Sequence, residues 1–340
     1  MTTRSAPSGG PVSARGVLEA ADPALAAAVA AGLAQVEQRL REVVAASNPM
    51  LDLAASHLAE AGGKRVRPLL ALLAAQLGDP VAPGVVDAAV VVELTHLATL
   101  YHDDVMDEAD VRRGAPSANS RWTNTVAILT GDYLFARASD LTAGLGTEAT
   151  HLQSRTFARL VEGQISETAG PVDGQDPVEH HLQVIADKTA SLIATSARLG
   201  ALTAGVPADQ VEAVARFGEV FGTAFQLSDD LIDVLSDSDA SGKTPGTDLR
   251  EGIRTLPVLL VLARDAPDSR LVTLLVGDLS GNELLTEALG LLRAHPAMAD
   301  AHERLGAYVE QARAVAGELP AGPVQDALLL LTDFVLARTG

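Results

Sequence analysis

Residues 97–108 read LATLYHDDVMDE and residues 221–235 read FGTAFQLSDDLIDVL. Each stretch holds an aspartate pentad of the same spacing, Asp103-Asp104-Val105-Met106-Asp107 and Asp229-Asp230-Leu231-Ile232-Asp233, 126 residues apart. The surroundings are apolar and helix-forming, and in a helix positions i and i+4 share a face, with i+1 about 100° around. Three carboxylates crowded into about one turn repel one another unless a cation joins them. Two such clusters facing each other across a gap call for several hard divalent ions. Oxygen-only ligands favour Mg²⁺, which keeps waters and bridges to phosphates.

Composition narrows the setting. The chain has 340 residues, 47% hydrophobic but only 3% aromatic, so its core is built from Ala, Leu and Val, which suits close helix packing. A formal net charge of −19 argues against non-specific nucleic-acid binding, although local basic clusters can still hold a phosphate-bearing ligand. With no cysteine there is no disulfide, thiolate metal site or cysteine nucleophile. No apolar run reaches the roughly 18 residues expected of a membrane span, and MTTRSAPSGGPVSARG lacks the apolar centre of a signal peptide. The expectation is a soluble, cytoplasmic protein.

Residues 1–15 are rich in Ser, Pro and Gly and read as a disordered tail. From Pro23, with Asp22 as N-cap, apolar residues recur at three and four positions, and Gly/Pro breakers then divide blocks of helical period with no strand alternation. Residues 16–340 are therefore expected to form one all-α domain, a large helical bundle around a central cavity. The apolar blocks at 84–101 and 216–235 would be its central helices, each capped by a pentad.

Further charged groups cluster around this frame. Gly62-Gly63-Lys64-Arg65-Val66-Arg67-Pro68 places three cations in four residues at a helix start, where glycines and the helix dipole welcome an anion. It is not a Walker loop. Asp107 is followed by Glu108, Asp110 and Arg112-Arg113-Gly114, an arrangement that makes sense if the arginines hold phosphate oxygens that the metals also touch. A solvated helix end is the plainer reading of that run alone. His96 lies two turns before Asp103. Lys188-Thr189 stand in a stretch of small apolar residues, and Gln226 precedes Asp229 by three. Asp237, Asp239, Ser241, Gly242 and Asp248 imitate a calcium loop, but the closing Glu is missing and Lys243 and Pro245 intrude. A Gly-rich lid that carries Lys243 to a phosphate fits better.

In order along the chain stand GGKRVRP, ELTHLATLYHDDVMDEADVRRG, GDYLFARA, EGQ (Glu162 to Gln164), DKTA, FQLSDDLIDVL, GKTPGTDLREG and TLP. This ordered set resembles the trans-isoprenyl diphosphate synthase (polyprenyl synthetase) family, from about Gly62 to Pro257. The resemblance implies a prenyltransferase that condenses isopentenyl diphosphate onto an allylic diphosphate, working as a homodimer with Mg²⁺, three ions accompanying the allylic diphosphate. It implies Asp103, Asp107 and Asp229 as main metal ligands, with Asp104, Asp230 and Asp233 supporting them directly or through water. It implies Lys64, Arg67, His96 and Arg113 around the isopentenyl diphosphate, and Arg112, Lys188 and Lys243 on the allylic diphosphate. Thr189 and Gln226 would flank the carbon that becomes cationic. Ile253 stands where the family often has a lysine, with Arg254 next to it. Ala98 and Thr99 are small at positions where short-chain relatives carry bulky aromatics. The expected product is therefore longer than farnesyl diphosphate, of the quinone side-chain type. Geranylgeranyl diphosphate is the alternative product, unless the small pair merely lets two helices pack. A terpene cyclase is the rival enzyme, but it lacks the second basic site.

Overall fold

The computed structural model describes residues 14–236 and 245–339. The tail reading for residues 1–15 falls mostly on residues 1–13, outside the described ones; helix already begins at Ala14. Helices account for nearly every described element, as the patterning predicted. The exception is a two-stranded ribbon, Val111–Arg112 against Ala115–Pro116, which the sequence reading did not anticipate. Its two-residue loop has both central residues at positive φ, Arg113 at 54° and Gly114 at 77°, the geometry that matches strand twist in a tight hairpin.

Local signals start the helices where expected. The Asp22 carboxylate accepts from the Leu25 amide at 2.8 Å and Pro23 occupies the first turn of Pro23–Val44. Asn48 with Pro49 and Asp176 with Pro177 repeat the device.

Two central helices carry the pentads at their C-terminal ends: Val85–Met106 and Ala208–Leu235. The first is buried almost all round, with Ala88 to Thr95 no more than 1% exposed. Its length and mean hydropathy of 1.2 would also suit a membrane span, contrary to the sequence expectation, but its apolar surface is spent on the core. Around these two helices stand Val66–Ala75, Asn124–Leu145, Thr147–Ala169 and the long run Pro177–Thr203. Scarcity of aromatics is compensated by close backbone approach. A Cβ on Gly200 would lie 1.9 Å from the Ala71 carbonyl oxygen, and one on Gly222 would lie 2.7 Å from the Ala190 Cα. Only glycine permits those crossings, so a side chain there would push apart the walls that carry the functional residues.

Candidate active site

The bundle encloses a cavity of about 770 Å³ that opens between the C-terminal ends of the two aspartate helices. Asp103 and Asp229 both line it, one from each helix, as do Lys64, Arg67, His96, Arg113, Lys188, Thr189 and Gln226. The first pentad splits by helical angle. Asp103 faces the cavity, and burial together with neighbouring Asp107, opposed by Lys188 and Arg112, pushes its carboxyl up to about 6. Asp107 is exposed at the helix C-cap, its amide bonded to the Asp103 carbonyl at 2.8 Å. Asp104 is fully buried behind them and accepts from Arg112 Nε at 2.6 Å; its second oxygen has no hydrogen-bond partner. Arg112 is 3.9 Å from Asp107 as well, so the hairpin is moored to the pentad.

The second pentad splits likewise. Asp229 pairs with Arg338, whose guanidinium lies 4.9 Å from the Phe225 ring centroid. Asp230 is 3% exposed and accepts from Gln226 Nε2 at 3.0 Å, with His181 Nε2 at 3.2 Å from its other oxygen. Thr189 Oγ1 in turn donates to Gln226 Oε1 at 3.2 Å, which sets the amide's orientation. Asp233 accepts from the backbone amides of Thr247 and Asp248, both at 3.1 Å, and so anchors the short helix Thr247–Arg250 over the cavity mouth. Lys243 lies outside the described residues. Ile253 and Arg254 are exposed beyond this helix.

A basic nest forms the opposite wall. The left-handed Gly63 (φ 148°) leaves room for the Arg113 guanidinium, which a Cβ there would meet at 3.0 Å. Arg113 Nη1 donates to the carbonyls of Gly62 and, at 3.2 Å, Leu58. Arg67 is buried with Nε unpartnered, and burial lowers its pKa to about 10. Burial first, then Arg67 and Arg113, lower the His96 pKa well below its usual value. Lys64 Nζ lies 5.9 Å from the Phe225 centroid. A guanidinium nitrogen left without a partner in a cavity favours an anion there. Elsewhere on the wall Lys188 pairs with Glu167 at 2.5 Å beside Asp103.

Several residues of this site escaped the sequence reading. Arg65 bonds Glu37 and the 1%-exposed Glu93, each at 2.5 Å, and Glu93, also 3.8 Å from Arg113, supplies the nest with buried counter-charge. Glu93 falls three positions before His96 on the same helix, a spacing that signals a shared face. Glu167 stands three residues after Gln164 on the same grounds. Arg338 gave no signal, being 109 residues from Asp229 in the chain. Below the pentads, Thr99 lines the cavity, but Ala98 is fully buried and absent from its wall, with its carbonyl turned toward Gly131. The sequence argument from Ala98 therefore reflects helix packing. The same wall is lined by His102, Phe135 and Phe157, with the two phenyl centroids 4.2 Å apart.

The donor set fits divalent metal. Among the described residues no three acidic or histidine side chains form a ready-made ion site. Asp103 with Asp107 on one wall and Asp229 on the other instead leave coordination positions for diphosphate oxygens and water, as Mg²⁺ sites do.

Comparison with known proteins agrees. The polyprenyl synthetase family model matches residues 48–292. A nonaprenyl diphosphate synthase of Mycobacterium tuberculosis is 50% identical over 321 residues, 94% of this chain and 96% of that protein. A dimethylallyltranstransferase of the same organism is 41% identical, covering 93% and 97% of the two chains. A geranylgeranyl pyrophosphate synthase from Corynebacterium glutamicum, crystallised with calcium and isoprenyl diphosphate, superposes with a TM-score of 0.84 at 44% identity, covering 94% and 98%. Shared fold, shared sequence over nearly the whole length and two acidic helix ends opening on one basic cavity place this chain in the polyprenyl synthetase family.

Proposed function

We propose that this prenyltransferase condenses isopentenyl diphosphate onto an allylic diphosphate and releases an all-trans polyprenyl diphosphate longer than farnesyl diphosphate. The observation that carries the reading is the pairing of Asp103 and Asp229 across one cavity that is also lined by the cluster Lys64, Arg65, Arg67 and Arg113 and, apart from it in the chain, by Lys188. Asp103, Asp107 and Asp229 would hold Mg²⁺, three ions in the full site, and Asp104, Asp230 and Asp233 would support the site through Arg112, Gln226 and the Thr247–Arg250 helix. When bound, Mg²⁺ supplies Lewis acidity to the departing pyrophosphate. Lys188, Arg112 and Lys243 bind the same leaving group. Lys64, Arg67, Arg113 and His96 hold isopentenyl diphosphate so that its double bond faces the allylic carbon. The Thr189 and Gln226 oxygens, pre-set by the Asp230–His181 pair, stabilise positive charge at that carbon in a water-poor site. Bond formation leaves a tertiary cation, which loses a proton to the pyrophosphate oxygens.

Product length is supported by the small Thr99 on the upper wall and by the nonaprenyl-forming relative. Geranylgeranyl diphosphate is the second reading, favoured by the Phe135–Phe157 pair on the cavity wall. The basic nest supports a second diphosphate and weighs against a terpene cyclase. A cytoplasmic homodimer is part of the proposal, the dimer being supported by Leu129, an apolar side chain left exposed on Asn124–Leu145 outside the cavity.

The test is incubation with labelled isopentenyl diphosphate, Mg²⁺ and each allylic primer, followed by sizing of the products. Asp103→Ala and Asp229→Ala are each expected to cut turnover by more than about 10²-fold, since losing a metal contact costs several kcal/mol in the transition state. Helicity should persist in both. Full activity in either variant would refute the assignment.

A further inference from the structure

Lys188 and Thr189 do not sit on a regular helix. Between Pro177–Ile185 and Ser191–Thr203 the chain forms a π-helical turn, Ala186–Ala190, closed by the Ser191 amide on the Ala186 carbonyl. A π-turn is a wide, poorly favoured geometry that persists only where its surroundings hold it. Here the surroundings converge on one side chain. Arg159, on Thr147–Ala169, donates from Nε to Asp187 Oδ1 at 2.8 Å and from Nη2 to the Ala186 carbonyl at 3.3 Å. The same Nη2 donates to Glu219 Oε1 at 2.6 Å, and Nη1 reaches Glu219 Oε2 at 3.3 Å. Glu219 lies on the helix that carries Asp229 and Gln226. Asp187 is steadied further by Gln183 Nε2 at 2.7 Å, and its carbonyl accepts from Ser191 Oγ at 2.5 Å. The helix of Arg159 crosses the turn at Gly163, where a Cβ would lie 2.9 Å from the Lys188 amide nitrogen.

We propose that Arg159 is a positioning residue for the condensation, its guanidinium clasping the Ala186–Asp187 turn to Glu219 so that Lys188 and Thr189 project into the cavity opposite Gln226. Arg159 touches no cavity surface itself; it acts on the residue before Lys188. A planar guanidinium spreads its five donors over a wide fork and so makes these four contacts at once, whereas an ammonium has three donors on one atom. The inference rests on the proposed role of Lys188 at the allylic diphosphate. It makes a specific demand: loosening the clasp disturbs the allylic side and leaves the basic nest on the far wall untouched.

The experiment compares KM for the allylic primer and KM for isopentenyl diphosphate in the full chain carrying Arg159→Met, which keeps the side-chain bulk, and Arg159→Lys, which keeps the charge. The expected result is a rise of about fivefold or more in allylic KM for Arg159→Met and a smaller rise for Arg159→Lys, with KM for isopentenyl diphosphate within about twofold of wild type. A purely structural role would lower the active fraction and move neither KM. Both constants unchanged, or both raised alike, overturns the clasp. Lys188→Ala serves as reference. A wild-type chain that condenses nothing defeats the activity itself, whereas a rise in allylic KM for Lys188→Ala without one for Arg159→Met defeats only the clasp.

Discussion

Asp229 and Arg338 show what a single pair contributes. Asp229 is the only cavity-lining carboxylate of its pentad among the described residues, and Arg338 reaches it from the last turn of the chain. A guanidinium and a divalent ion compete for the same carboxylate oxygen, because both are satisfied by the same lone pairs. Replacing Arg338 with Ala is therefore expected to lower the Mg²⁺ concentration that half-saturates pyrophosphate binding, by about two- to fivefold for a charged hydrogen bond partly exposed to solvent. Isothermal titration with Mg²⁺ at fixed pyrophosphate measures it; an unchanged or higher midpoint would show that Arg338 does not contend with the metal. At this scale the pentads, the GGKRVRP nest and Lys188-Thr189 were readable because charge in an apolar stretch has few uses. Glu93, Glu167 and Arg338 were not, since counter-ions are chosen by proximity in space.

At the scale of elements, the helix Val85–Met106 presents different residues on different sides, and that rotation decides what governs the length of the tail. Spacing alone nominated Ala98 and Thr99. Of the two only Thr99 meets the cavity in the fold, and Phe135 on Asn124–Leu145 and Phe157 on Thr147–Ala169 add bulk to its wall. Truncating Phe157 to Ala opens space beneath the growing chain, so the product distribution should shift upward by one or more isoprene units. Chromatographic sizing of dephosphorylated products reads the shift, and an identical distribution would place the length limit elsewhere. The hairpin Val111–Pro116 is a second instance. Its residues alternate too briefly to signal strands, yet its tight loop is what turns Arg113 back over Gly63.

For the whole molecule, the acidic walls are separate until a ligand joins them. Among the described residues no acidic cluster is complete enough to hold an ion alone. Mg²⁺ by itself and pyrophosphate by itself should each raise Tm little, whereas the two together should raise it by several degrees. A ligand pair at about 100 times its dissociation constant stabilises by about 2.7 kcal/mol. Thermal unfolding in the four combinations checks this, and a full shift with Mg²⁺ alone would mean that the carboxylates are already organised around metal.

The chain's order of residues was enough to establish an all-helical body, two acidic helix ends and the basic segments that serve a diphosphate, because helical period and clustered charge are local properties. Which carboxylate of each pentad faces the cavity, which carboxylate each arginine pairs with, and which aromatics line the wall were settled only by tertiary structure. These depend on how far each helix is rotated against its neighbours, and rotation is set by close packing between segments far apart in sequence.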